Sequence, residues 1–355
     1  MPSTRTMGIQ DTMSLADSFG FAPPNFNTEQ ILERLESRFG IGGQLYPLEG
    51  ERDQNFRLDS TAGETYLVKI SGDSEDLAVV DFHCRALQQL QQRDPALILP
   101  RIIKTRDAAL YAKMQNGDNP LRVLSYLPGL PLAAGAPPTT GLAANAGHFL
   151  GRVSAALKGF SDPAQEHYLA WDLGNGLLDD DAIWNSGAAD IRALEAALRP
   201  LLKRRVLSRL PGQRRQVVHH DAHQDNLLRP HADSETVVGL IDFGDMIKSA
   251  IVCDLAILCL GFVERSISAQ DCVAHAVAGY HAEFPLLTGE IDLLFDTMLA
   301  RETLTVLLFD FKIAQNASAS DYVREARPGL MKSLVKLRDI GASDFRDAIF
   351  DLCKL

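Results

Sequence analysis

Residues 217–245 read VVHHDAHQDNLLRPHADSETVVGLIDFGD. An apolar strand end (Val217, Val218) runs into a polar loop, His219 to Asn226, and then into the short apolar pair Leu227 and Leu228. A turn rich in His, Asp and Ser follows, and a second apolar run, Val237 to Ile241, ends in Asp242-Phe243-Gly244-Asp245. The pattern predicts a β-hairpin with functional groups at its rim. Asp221, Asp225, Asp242 and Asp245 fall within 25 residues. Two carboxylates about 6 Å apart repel by roughly 3 kcal/mol at an effective dielectric near 20. Such a cluster needs a cation, a raised pKa or solvent to relieve it. Oxygen donors from Asp and Asn are what a hard cation such as Mg²⁺ takes, with phosphate oxygens completing its shell.

The spacing says more than the composition. An Asp followed five residues later by an Asn, and then by a strand ending in Asp-Phe-Gly, is the order of parts in kinase-type phosphoryl transfer. The set His219-x-Asp221-x₄-Asn226, Ile241-Asp242-Phe243-Gly244-Asp245 and Asp254-Leu255-Ala256 resembles the aminoglycoside phosphotransferase and choline kinase superfamily. Within it the resemblance is strongest to the hydroxylysine kinase group, also found as the leading domain of fused class III aminotransferases. Asp53-Gln54-Asn55-Phe56, Tyr66-Leu67-Val68-Lys69-Ile70 and Trp171-Asp172-Leu173 extend the match, which spans residues 28–340.

The resemblance implies an α+β, bilobal, protein-kinase-like fold. A small antiparallel β-sheet N-lobe (residues 25–127) would bind nucleotide, and a larger, mainly helical C-lobe (128–355) would carry catalysis and the acceptor. Residues 1–24 read as a mobile tail. In this scheme Asp221 is the catalytic base, Asn226 and Asp242 hold Mg²⁺, and Lys69 steadies the α- and β-phosphates of ATP or GTP. Backbone groups around Asn55 approach phosphate, and those of Ser125 and Leu127 meet the purine. Trp171, Asp172 and Arg301 are implied near the acceptor: the indole for cation–π contact, Asp172 for an ammonium, Arg301 for a carboxylate. For Arg301 a helix–helix salt bridge is the competing expectation. His219 and Asp254 brace the catalytic loop, and Asp245 lies near the metal or caps the next turn. The acid that pairs with Lys69 is expected on the helix after it. His83 stands at that register, with Asp81 and Glu75 as substitutes.

The totals bound the remaining possibilities. A chain of 355 residues has ample interior for a core, and 46% hydrophobic with 23% charged residues is ordinary for a globular protein. A net charge of -11 argues against a nucleic-acid partner. Five cysteines without a CxxC pair suit a reducing compartment. The N-terminus lacks the apolar core of a secretory signal, and the longest apolar run, Leu255 to Val263, is far short of a membrane span. A cytoplasmic protein without membrane partners is expected.

Along the chain, Thr28 is placed to cap a helix over Glu29–Phe39. Strands are expected at 44–48, 55–59, 65–70, 100–103, 109–114 and 121–127. Glu49 to Gln54 forms the turn above the phosphates, without the GxGxxG pattern. Helices are expected at 75–92, 140–157 and 182–209. Asp179-Asp180-Asp181 sits at a helix start, where acids suit the dipole. Apolar helices fill the rest. Two other functions compete with a small-molecule kinase: a Zn²⁺ or Ni²⁺ site built from His219, His220, His223 and His231, and a degenerate kinase fold that binds nucleotide without turnover. Among acceptors, 5-hydroxylysine or a related small hydroxylated amine ranks first, with choline, homoserine and aminoglycosides as alternatives.

Overall fold

Alternating polarity in short segments builds a sheet first, and the chain then turns helical. The computed structural model describes residues 23–354 apart from positions 51, 74, 116 and 316–320, so most of the expected 1–24 tail lies outside the described residues. Helix α1 (Thr28–Phe39) is capped by Asn27 rather than Thr28. The Asn27 side chain accepts from the Gln30 N–H at 2.9 Å, and the Gln30 side chain accepts from the Asn27 N–H at 3.0 Å, a reciprocal capping box. Gly40, at φ 73°, ends the helix.

Strands β1 (Gly43–Leu48), β2 (Gln54–Ser60) and β3 (Thr65–Ile70) form an antiparallel meander. Helix α2 (Leu77–Arg93) follows, and then β4 (Ile102–Ile103), β5 (Ala112–Lys113) and β6 (Pro120–Ser125) complete the six-stranded sheet. The period of two decides what each face carries. Val68 and Ile70 are fully buried against Ile31, Leu35 and Val123, while Lys69 between them points to the opposite face, flanked by Asn55 and Arg122 on the neighbouring strands.

Past Ser125 the chain leaves this sheet. Strand β7 (Leu130–Pro131) pairs instead with β9 (Leu227–Arg229) of the helical lobe. Helix α3 (Thr140–Leu157) matches its expected bounds. The helix expected over 182–209 is broken into α4 (Asp181–Ser186), α5 (Ala189–Arg192), α6 (Glu195–Leu202) and a wide turn at Lys203–Leu207. Gly187 adopts an extended conformation that stops the first piece, and Pro200, with no N–H to donate, precedes the wide turn. Asp180 caps α4 through the Ala182 N–H.

The central stretch forms two ladders. Strand β8 (Arg215–Val218) precedes the polar loop, and β9 (Leu227–Arg229) pairs with β10 (Gly239–Leu240) as the expected hairpin. Val217 and Val218 do not join that hairpin. They pair with β11 (Ile247–Ala250), so the polar loop is tied down at both ends by separate sheets. Five helices close the lobe: α7 (Ile251–Arg265), α8 (Ala269–Glu283), α9 (Thr288–Gln315), α10 (Asp321–Ile340) and α11 (Ala342–Cys353). Among the described residues no helix is long and apolar enough to cross a membrane.

Helices α3 and α8 approach backbone to backbone. A Cβ at Gly147 would lie 1.9 Å from the Ala276 carbonyl oxygen, and one at Gly279 would lie 2.2 Å from that of Ala144. Neither atom can retreat without moving a helix. Gly147→Ala is therefore expected to destabilise the fold by about 2–3 kcal/mol in urea titration, despite alanine's better helix propensity. An unchanged midpoint would contradict this packing.

Candidate active site

The loop between β8 and β9 is held by side chains that point away from solvent. His219 bridges two elements: its Nε2 lies 3.0 Å from the Ile241 carbonyl oxygen, its Nδ1 accepts from the Asp221 N–H at 3.2 Å, and its ring stands edge-on to Phe243. His220 adopts φ 64°, rare for a side chain with a Cβ. Its N–H donates to Asp254 Oδ1 at 2.7 Å. Asp254 is fully buried at the start of α7, and that burial pushes its carboxyl pKa up.

Asp172 is placed differently from the sequence expectation. It lines neither of the two cavities that lie between the lobes. It is buried, accepts from Ser249 Oγ at 2.6 Å and lies 3.3 Å from His220 Nε2. Burial alone would raise its pKa, but His220 and Ser249 outweigh that and hold it at about 2. The β11 ladder carries Ser249 to this position, and so draws the carboxylate inward.

The loop presents Asp221 outward. Asn226 Nδ2 donates to the Asp221 carbonyl oxygen and to Asp221 Oδ2, each at 2.8 Å. His223, not singled out as a kinase-site residue from sequence, lies between two acids, its Nε2 3.5 Å from Asp221 Oδ2 and its Nδ1 3.3 Å from Asp225 Oδ2. Burial opposes its charge, but these carboxylates raise its pKa to about 10.

Across the cleft, Lys69 is gripped from both lobes. Its Nζ lies 3.0 Å from Asp53 Oδ2 and 3.2 Å from Asp242 Oδ1. Burial alone would lower the Lys69 pKa, yet Asp242 and Asp53 outweigh burial and raise it. The acid partner is thus Asp53, on the turn before β2, and not an acid of α2. Asp81 on that helix pairs with Arg85 at 2.6 Å. His83, at the expected register, is buried with its Nε2 3.3 Å from the Met246 carbonyl oxygen. Burial, aided by Arg122 and His167, lowers its pKa to about 3. A neutral imidazole there cannot serve Lys69, and Asp53 takes over the role. Asp53 was in plain view in the motif Asp53-Gln54-Asn55-Phe56, but only the turn geometry aims it at Lys69.

Asp242 adopts φ 58°, and its half-exposed carboxylate stands between the lobes. Asp245 is buried and paired with Arg52 of the β1–β2 turn. Burial would raise its pKa, but Arg52 drives it well below the carboxylate range.

Two cavities meet beside Asp242. One, of about 290 Å³, lies between the lobes, walled by Leu67, Leu124, Leu228 and Ile241 and reaching Ser125, Leu127 and Asn226. The other, of about 530 Å³, is walled by Asp221, Asp225, Trp171, Arg301, Glu302 and residues of α10 including Tyr322. Glu49, Asn55, Lys69 and Asp242 line both. Arg301 Nη1 donates to the Trp171 carbonyl oxygen at 2.9 Å, and its guanidinium lies 5.3 Å from the Trp171 ring centre. Lys312 Nζ lies 5.1 Å from the same ring, so the indole already carries cations of the protein itself. Ser125 donates its N–H to the Arg101 carbonyl oxygen at 2.9 Å. The histidines do not converge. Among the described residues no group of three or more His, Cys, Asp or Glu side chains is arranged to hold a metal ion by itself.

Residues 45–285 match the model of the phosphotransferase enzyme family, known as APH. The chain belongs to that family. It is a small-molecule phosphotransferase that acts on an alcohol group. A hydroxylysine kinase of Danio rerio is 24% identical, with 90% of this chain and 94% of the relative covered. One of Mus musculus is 23% identical, covering 94% and 95%. A solved microcompartment-associated aminopropanol kinase superposes with a TM-score of 0.69 at 15% identity, over 89% of this chain and 98% of its own. An amicoumacin kinase superposes with a TM-score of 0.65 at 14% identity, over 89% and 95%. These neighbours share the bilobal kinase-like fold.

The His83 environment carries a sign that can be checked. Its folded pKa lies below the unfolded value of about 6.5, so its contribution to stability is complete above that pH and is lost as pH falls toward about 3. Imidazole ¹⁵N resonances are expected to show His83 still neutral at pH 5. Half-protonation near pH 6.5 would contradict its burial.

Proposed function

We propose that the protein transfers the γ-phosphoryl group of ATP or GTP to the hydroxyl of a small amine-bearing alcohol, with a hydroxylated amino acid of the 5-hydroxylysine type as first choice. One observation carries the reading. Asp221, on the larger cavity, and Asn226, on the smaller, are hydrogen-bonded to each other where the two cavities meet beside Lys69 and Asp242.

The donor's purine fits the smaller, apolar cavity, its edge toward Leu127 and the carbonyl side of Ser125, whose N–H is already committed. Lys69 then meets phosphate oxygens, with Asn55 beside it on the neighbouring strand. Asn226 and Asp242 fit Mg²⁺ by their donors. The Asn226 amide nitrogen is turned to Asp221, which puts its carbonyl oxygen on the other side, and the Asp242 carboxylate is half exposed at the junction. When bound, the ion supplies neutralisation of phosphate charge. Asp221 accepts the proton of the acceptor hydroxyl as that oxygen bonds to the γ-phosphorus and the bond to the leaving nucleoside diphosphate breaks. Most of the rate comes from positioning. Convergence of Asp221, Asn226, Asp242 and Lys69 favours turnover over a degenerate, binding-only fold.

For the acceptor, the larger cavity pairs acids with arginines. Asp225, Glu302 and Glu325 suit an ammonium, while Arg301 and Arg265 suit a carboxylate. That mixture favours an amino acid over choline, which has no carboxylate. Two relatives named hydroxylysine kinase support the same choice. Trp171 orients Arg301 in this scheme.

The test is nucleotide consumption by purified protein with Mg²⁺, comparing ATP and GTP across 5-hydroxylysine, homoserine, choline and kanamycin. Turnover is expected to be greatest with 5-hydroxylysine, and Asp221→Ala to lower kcat by about 10²–10⁴-fold. Arg301→Ala is expected to raise KM for an amino acid acceptor about tenfold or more, with little effect on an amino alcohol lacking the carboxylate. Equal effects on both acceptors would remove Arg301 from carboxylate recognition. Absence of any nucleotide affinity would contradict the kinase reading.

A further inference from the structure

We propose that Arg52, on the turn between β1 and β2, is a further catalytic residue that exchanges its partner Asp245 for oxygens of the transferring phosphoryl group. The proposal rests on the phosphotransfer reading above and adds a cation, supplied by the roof of the same chain, that the sequence motifs do not contain.

The roof carries no glycine-rich motif. Gly50 is the one glycine between Glu49 and Gln54. A Cβ there would lie 2.3 Å from the Asp53 carbonyl oxygen and 2.5 Å from Asn55 Nδ2, so its bareness lets the turn fold over itself. The polar edge this turn offers the junction is made of side chains, Arg52 and Asp53, both on the wall of the larger cavity.

Charge balance at the junction asks for more than Lys69. Asp53, Asp221, Asp242 and Asp245 are among the carboxylates that line the larger cavity, with Glu49, Asp225, Glu302 and Glu325. Lys69 is divided between Asp53 and Asp242. Arg52 reaches across from the opposite lobe to Asp245 and remains about half exposed. A terminal phosphate beside Lys69 brings further negative charge to that wall, and a planar guanidinium pairs with two phosphate oxygens better than with one carboxylate oxygen. Arg52 is not the only charge that acts on Asp245, since Arg301 also lowers its carboxyl pKa.

In the step itself, the acceptor oxygen bonds to the γ-phosphorus, its proton passes to Asp221, and the β–γ bridging oxygen leaves with the bonding electron pair on the nucleoside diphosphate. Negative charge spreads over the three equatorial oxygens as this happens. Arg52, contacting those oxygens, stabilises the transition state and also distinguishes triphosphate from diphosphate.

The test uses the full chain, with Arg52→Ala and Arg52→Lys beside wild type. Calorimetry with the imido analogues of ATP and GTP, and with ADP and GDP, is run in Mg²⁺ together with steady-state kinetics. The expected result for Arg52→Ala is at least a tenfold loss of affinity for the triphosphate analogue, less than a twofold change for the diphosphate, and a fall in kcat of about 10²-fold or more. Arg52→Lys, which keeps charge without the fork, is expected to recover part of kcat, and it is read by the same criteria if the alanine variant does not fold. Equal losses for tri- and diphosphate would make Arg52 a lobe-closing contact and overturn the proposal, as would an unchanged kcat. Wild type that binds neither nucleotide would instead remove the phosphotransfer reading on which the proposal stands.

Discussion

A single ammonium group, Lys69 Nζ, ties the two halves of this molecule together. Taking a lysine out of water is costly unless carboxylates meet it with good geometry. Here Asp53 from the turn before β2 and Asp242 from the helical lobe do so at 3.0 and 3.2 Å. The pleat leaves Lys69 no choice of face, because Val68 and Ile70 on either side are fully buried in the sheet's own core. Approach of the lobes and assembly of the charged site are therefore one event. The same contact sets the mouth of both cavities, since Lys69 and Asp242 line each of them.

Around that contact, the polar loop is held by groups that line neither cavity. His219 ties the loop to Ile241, and Asp254 receives the His220 N–H. Asp172 holds the His220 ring from below. Two non-glycine residues in the left-handed region, His220 and Asp242, are kept there by this packing. Such conformations cost on the order of 1–3 kcal/mol each and persist only where the surroundings over-determine them. Separate ladders at the two ends of the loop, β8 with β11 and β9 with β10, supply that restraint. The proposed mechanism, catalysis by positioning, requires it, since small misplacements of a base cost large factors in rate.

The sequence was most readable where the order and spacing of residue types decide which side chains come together. Asp221, Asn226 and Asp242 form such a series, and the alternation around Lys69 predicted both its strand and its face. What depended on contacts between distant segments was not readable. Asp53 became the partner of Lys69 through a turn whose direction no local pattern reveals. Asp172 carries a carboxylate suited to an ammonium, yet Ser249 on β11 and His220 draw it inward. Val217 and Val218 directly precede the hairpin in sequence, but their register is with Ile247 and Lys248. The expected helix over 182–209 failed for a local reason that was visible: Gly187 and Pro200 both interrupt it. Asn27 and Thr28 are adjacent and both can cap, and only the return bond from Gln30 decides between them.

The most direct test of the account is a crystal structure of the protein with Mg²⁺ and a non-hydrolysable triphosphate. The account predicts the purine in the apolar cleft beside Leu124 and Leu127, with the terminal phosphate at the junction beside Lys69 and Asp242 and facing Asp221. A nucleotide bound elsewhere, or a terminal phosphate directed away from Asp221, would contradict it.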